Sequence, residues 1–192
     1  MKARLALLAT MCVVTVLNAC GNIASVKATI PTYVDTLSLW SLSGTPPSYP
    51  SAISITTRQI VLVDGFAGFD IALDIDANGR TVVYPVKLVV AVPGGTRAVG
   101  LERVSGSFEN VLEAPKTGFE TDSALVMAPG EVVAIESPHN GSGDICQFSI
   151  SPNIYAKITV DSVNLASRVI YLRMGFDPNC GFRSFAAGIP TS

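Results

Sequence analysis

The stretch FDIALDIDANGRTVVYP, residues 69–85, decides the fold. Phe69, Ile71, Leu73 and Ile75 alternate with Asp70, Ala72, Asp74 and Asp76. Successive side chains of an extended chain point to opposite faces, so this is a strand with one apolar face and one acidic face, and the acidic face is expected to be wet. Asn78-Gly79 follows at once, and then RTVVYP. An Asn-Gly between two β-rich runs predicts a hairpin, because both central residues of a tight type I′ turn need positive φ.

The same period of two extends outward. DTLSLWSL (35–42) sets Leu37 and Leu39 against Ser38 and Trp40, and the prolines of SGTPPSYPS (43–51) then exclude a central strand. Ile53 and Ile55 alternate with serines, and QIVLVDG (59–65) has strand length. VKLVVAV (86–92) continues the pattern up to PGG (93–95). Further strands are expected at 97–104, 107–112, 124–127, 131–136, 145–150, 155–163 and 168–176, with turn clusters between them. No long stretch carries apolar residues at helical spacing. About a dozen short strands predict an all-β protein, a single antiparallel β-sandwich in Ig-like or jelly-roll style over residues 35–192. The tail DPNCGFRSFAAGIPTS (177–192) lacks alternation and is expected to fold back over a sheet, pinned through Cys180.

The N-terminus has another character. Lys2 and Arg4 precede LALLATMCVVTVL (5–17), an uncharged run the size of a signal-peptide core. It is shorter than the roughly 20 apolar residues of a membrane-spanning helix. The run ends in LNAC (17–20). This resembles the lipobox of bacterial lipoproteins: Leu at −3, a small residue at −1 and Cys at +1, with Asn18 a departure from the usual Ala, Ser or Thr. The resemblance implies that residues 1–19 are a cleaved signal helix. It also implies that the Cys20 thiol accepts a diacylglyceryl group, and that residues 20–34 are the lipidated cysteine and a short tether. The partner so implied is a membrane, held through the lipid anchor. Gly21 replaces the Asp that often retains lipoproteins at an inner membrane, so the resemblance points to an outer membrane. The β-rich remainder is similar to small envelope lipoproteins in general, a likeness that implies no activity.

Composition fits export. Cleavage would take Lys2 and Arg4 and no acid, moving the formal charge from −2 to about −4. No Lys/Arg cluster is present, which argues against nucleic acid as a partner. Of the 4 cysteines, the resemblance implies that Cys12 leaves with the signal and that Cys20 is lipidated. Cys146 and Cys180 remain, an even pair in an oxidising compartment, and a structural disulfide is expected.

Three constellations could carry chemistry. Asp74, Asp76 and Asn78 before Gly79 match the start of a D-x-D-x-N-G calcium loop, since Ca²⁺ takes oxygen ligands at alternate positions. The bidentate acid an EF-hand needs would fall at Pro85, so only a looser calcium site remains, against a plain hairpin with acids on its wet face. His139, Ser142 and Asp144 are the residue types of a hydrolase triad, but six neighbouring residues in one Gly-rich turn are poorly placed to build one. A pair of carboxylates could serve a glycosidase, though no motif singles one out. Trp40, Tyr33 and Tyr49 could form an aromatic platform for sugars, or simply pack. With a single His, a zinc site lacks ligands. No cofactor is implied. The sequence therefore favours a non-catalytic binding or structural module meeting an envelope protein or glycan. A calcium-assisted carbohydrate- or peptidoglycan-binding domain comes second, and a hydrolase third.

Overall fold

The hairpin of residues 71–85 forms, but not on the expected type I′ turn: of Asn78 and Gly79 only Gly79 takes a positive φ, and the connection spans residues 76–80, with Gly79 N–H on the Asp76 carbonyl and Asp76 N–H on the Arg80 carbonyl. β4 (Ile71–Ile75) pairs antiparallel with β5 (Thr81–Pro85), with Leu73 opposite Val83. Gly79 takes a φ of 77° in the turn, where a Cβ would be strained. The structure, a computed structural model, is described for residues 27–66, 68–91, 97–139, 141–149 and 151–191. The expected signal segment, Cys20 and residues 92–96 lie outside the described residues.

Around this hairpin, ten strands make two five-stranded antiparallel sheets, a β-sandwich. The remaining strands are β1 (Tyr33–Trp40), β2 (Ala52–Ser54), β3 (Gln59–Val61), β6 (Gly100–Val104), β7 (Leu125–Met127), β8 (Val132–Pro138), β9 (Asn153–Asn164) and β10 (Val169–Asp177). The first sheet runs β1-β10-β9-β8-β6, with β8, β9 and β10 a meander. The second runs β3-β2-β4-β5-β7. Between them lies one apolar core containing Leu39, Ile53, Ile71, Leu73, Val133, Ile135, Ile158 and Leu172. A smaller cluster of Phe108, Val111, Val132, Tyr155 and Phe185 sits apart from this core. Residues 178–191 do fold back over the first sheet: Ala114 N–H donates to the Arg183 carbonyl and Phe185 N–H to Leu112.

Registers place the chain's landmarks at two ends. One end holds the start of β1, the end of β10, the start of β9 and the end of β8, since Tyr33 pairs with Phe176, Asp177 with Tyr155 and Pro138 with Asn153. The other end holds Trp40 and the 76–80 and 164–168 turns.

Several expectations need correction. The acidic face of β4 is not wet. Asp70 and Ala72 are fully buried and Asp74 is half-buried. Asp70 reaches Ser137 of the opposite sheet and Asp74 reaches Arg168. Period-two alternation reports which residues share a face, and a carboxylate with enough donors can sit on a buried one. VKLVVAV does not extend β5: Val86–Leu88 is a 3₁₀ turn in which Val89 N–H bonds the Val86 carbonyl. Residues 107–112 are a turn, with Val111 N–H on the Ser107 carbonyl, which puts Phe108 and Val111 together in the smaller cluster. Residues 145–149 are turns next to the disulfide, again not a strand. The tether is docked at its C-terminal end: Thr29 and Ile30 N–H groups both donate to Asn179 Oδ1, and Thr32 N–H donates to the Gly188 carbonyl.

Candidate functional site

Cys146 and Cys180 form a disulfide, their Cα atoms 5.7 Å apart across a sequence separation of 34. Cys146 is fully buried against the main core. In the chain-entropy account, closing such a loop contributes about 3.5–4 kcal/mol. The bond ties the loop after β8 to the C-terminal tail.

The calcium candidates are engaged within the fold. Asp74 accepts from Ser43 N–H and Oγ–H (3.1 and 2.8 Å), Ser41 Oγ–H and Ile75 N–H, with the Arg168 guanidinium 3.4 Å away. Burial alone would raise its pKa. The Ser41 and Ser43 donors and the Ile75 N–H outweigh that and hold it below the usual carboxylate range. Arg168 also donates to the Ser43 and Ile75 carbonyls, so it clamps three turns together. Gly44 is required beside it, because a Cβ there would sit 2.7 Å from Arg168 Nε. Asp76 caps its own turn, accepting from Asn78 N–H, Arg80 N–H and Arg80 Nε–H. Asn78 enters this cluster through its backbone. All four carboxylate oxygens of Asp74 and Asp76 thus accept a hydrogen bond. Among the described residues no group of three or more His, Cys, Asp or Glu is gathered as a metal site.

The proposed triad residues do not converge, and His139 finds a different serine. Its side chain turns inward to Ser137 and Asp70, while Ser142 stays on the exposed turn. Asp70 is the hub. Its Oδ2 accepts Ile55 N–H at 2.7 Å, and its Oδ1 accepts Ser137 Oγ–H at 2.6 Å and lies 3.1 Å from His139 Nε2 and 3.4 Å from the Arg97 guanidinium. Burial pushes the Asp70 carboxyl up, but His139, Arg97 and Ser137 together bring it below its ordinary value. The protons can be assigned from this network. The one hydroxyl hydrogen of Ser137 goes to Asp70, so Nε2, lying 3.1 Å from both oxygens, must carry a proton and donate. Asp144 is 3.8 Å from His139 Nδ1, beyond hydrogen-bond reach. A serine hydrolase needs the opposite: a bare Nε2 ready to take the serine proton. Here the nitrogen is occupied, and Ser137 and Asp70 are both 0% exposed.

Lys157 makes a second closed cluster. It is 2% exposed, its ammonium donates to the Phe108 and Val111 carbonyls, and it lies 4.2 Å from the Phe108 ring centre. Burial lowers its pKa, with Glu109 opposing and Arg173 adding to that. Gly175 of β10 makes the room, since a Cβ there would meet Lys157 Cε at 2.8 Å. The aromatic residues do not assemble as one platform. Trp40 and Tyr49 pair with centroids 4.8 Å apart, whereas Tyr33, at the other end of β1, lies under the Arg58 guanidinium.

Open space lies elsewhere. A cavity of about 560 Å³ is lined by Arg103–Gly106 on one side and Pro129–Glu131 on the other. A second, of about 220 Å³, is lined by Leu101, Glu102, Arg103, Glu120 and residues 123–125. Both share Arg103 on β6, an outer strand of the first sheet, and the smaller one reaches β7, an outer strand of the second. Arg103 spans this margin, paired with Glu131 and donating to the Val126 carbonyl. Sequence reasoning missed Asp70, Ser137, Arg97 and this groove. Asp70 read only as one of the alternating acids of 70–76, on the face expected to be wet.

The chain matches no protein-family model, no curated protein and no solved structure at a significant level.

Proposed function

We propose that this protein is a bacterial envelope lipoprotein, anchored through Cys20, whose β-sandwich serves as a non-catalytic binding or structural module. The observation that carries the non-catalytic reading is the state of the Asp70–Ser137–His139 cluster. Its serine proton is committed to a carboxylate, its imidazole nitrogen already bears hydrogen, and its serine and carboxylate are fully buried. Such a buried network fixes the packing of two sheets; it does not offer a nucleophile. The disulfide agrees with an oxidising compartment. The LNAC sequence supports the anchor, and the tether supports a domain held near its membrane. The groove beside β6 and β7 offers room and mixed charge for an envelope protein or glycan, through Arg103, Glu131, Glu102 and Glu120.

The test is crosslinking in intact cells followed by capture of the protein, comparing wild type with Cys20→Ser and Arg103→Glu. A specific partner recovered with the anchored form, lost in Cys20→Ser and reduced in Arg103→Glu, is the expected result. Recovery of no partner with any form would overturn the binding-module reading.

A further inference from the structure

We propose that the loop after β8 is a membrane-contacting element, with Phe148 and Ile145 entering the lipid surface beside the anchor; this rests on the lipidated-Cys20 reading. Phe148 is 94% exposed and Ile145 50% exposed. A phenylalanine left almost wholly in water forgoes about 1.5–3 kcal/mol of burial. Single exposed apolar residues are ordinary. What sets this pair apart is what the loop is tied to.

Cys146 lies between them and is bonded to Cys180. The neighbouring Asn179 accepts the Thr29 and Ile30 N–H groups and donates Nδ2–H to the Ile30 carbonyl. Covalent and hydrogen bonds therefore join the apolar loop to the place where the N-terminal chain leaves the domain. By Cα steps through the disulfide and the Asn179 hydrogen bond, Phe148 lies within roughly 25 Å of Thr29. Cys20 precedes Thr29 by nine positions, so no more than about 32 Å of chain separates the two. An acyl chain on Cys20 thus holds this end of the sandwich, and this loop with it, against the bilayer. A lipid anchor with a second apolar contact is also the arrangement that makes membrane attachment stable. The groove at β6 and β7 is lined by residues of other segments and stays open to a partner.

The wild-type chain carries its own control. Its one tryptophan, Trp40, closes β1 at the end away from Tyr33, roughly 23 Å along the strand. The full-length Phe148→Trp protein, matured in cells and reconstituted into phosphatidylcholine vesicles, is compared with wild type in brominated and unbrominated lipid. The expected result is a blue-shifted emission component from the introduced indole that is lost in brominated lipid, while Trp40 emission is unchanged. Intact mass of the same sample reports acylation of Cys20. An acylated, vesicle-bound chain in which the introduced indole stays unquenched overturns the loop contact and leaves the anchor standing. An unacylated chain that binds with that indole quenched overturns the anchor and keeps the loop. An unacylated chain that does not bind overturns both.

Discussion

Replacing Asp70 with alanine should damage this fold more than any other single removal of a surface-type residue. The substitution strips the acceptor from Ile55 N–H, Ser137 Oγ–H and His139 Nε2–H, and leaves the half-buried Arg97 guanidinium without its carboxylate. Breaking a buried charged pair from one side costs about 3–5 kcal/mol, and each orphaned neutral donor about 1–3 kcal/mol, with relaxation preventing a simple sum. We expect a loss of about 4 kcal/mol, a large share of the roughly 5–15 kcal/mol that holds a domain together. For a chain of this size that lowers Tm by roughly 8–16 °C. Urea unfolding of wild type, Asp70→Ala, Ser137→Ala and the double variant measures it. Because the two residues share one network, the double variant should cost at least about 1 kcal/mol less than the two single losses together. An Asp70→Ala loss under about 1 kcal/mol, or strict additivity with Ser137→Ala, would refute the reasoning.

Acid should weaken the protein through the same group. Asp70 is held below its ordinary pKa in the folded state, so the unfolded chain binds the extra proton. Its contribution is present above the unfolded value, near pH 3.9, and is lost as pH falls through the folded value. Tm measured against pH should therefore drop below about pH 4, less steeply in Asp70→Asn; equal slopes would contradict this. Lys157→Met should cost about 2–4 kcal/mol, because the Phe108 and Val111 carbonyls lose their shared donor, and hydrogen exchange should quicken around residues 108–114. Cys146 and Cys180 should resist alkylation until reductant is added, and Cys180→Ser should lower stability by about 3.5–4 kcal/mol in denaturant titration. Millimolar Ca²⁺ should leave Tm unchanged, since Asp74 and Asp76 are already engaged; a rise abolished by Asp76→Ala would restore the calcium reading.

The strands were legible where one face is dry and the turn chemistry is plain. Asn78-Gly79 marks its hairpin, and the long runs at 155–163 and 168–176 read as strands and are found as β9 (Asn153–Asn164) and β10 (Val169–Asp177). Residues 86–92 and 107–112 misled for the opposite reason. Apolar residues that bury from a turn carry the same composition as those that bury from a strand, and only the backbone bonds of Val89 and Val111 separate the two cases. The buried network was illegible because its hub, Asp70, lies far in sequence from Ser137 and His139. Asp70 reads as one more acid on a wet face until Ser137 of the opposite sheet and His139, just beyond the end of β8, close over it. His139 was noticed, but beside Ser142, which follows it closely in the chain. Its true partner Ser137 precedes it by two residues, on the inward face of β8. The disulfide was legible from the cysteine count together with the expected export.

The account turns on Cys20. The most direct measurement is the intact mass and N-terminal peptide of the protein extracted from membranes of cells that express it. It predicts a chain beginning at Cys20 and carrying a diacylglyceryl group and an amide-linked acyl chain. A chain that begins elsewhere, or an unmodified Cys20 on a protein found in the soluble fraction, would contradict it.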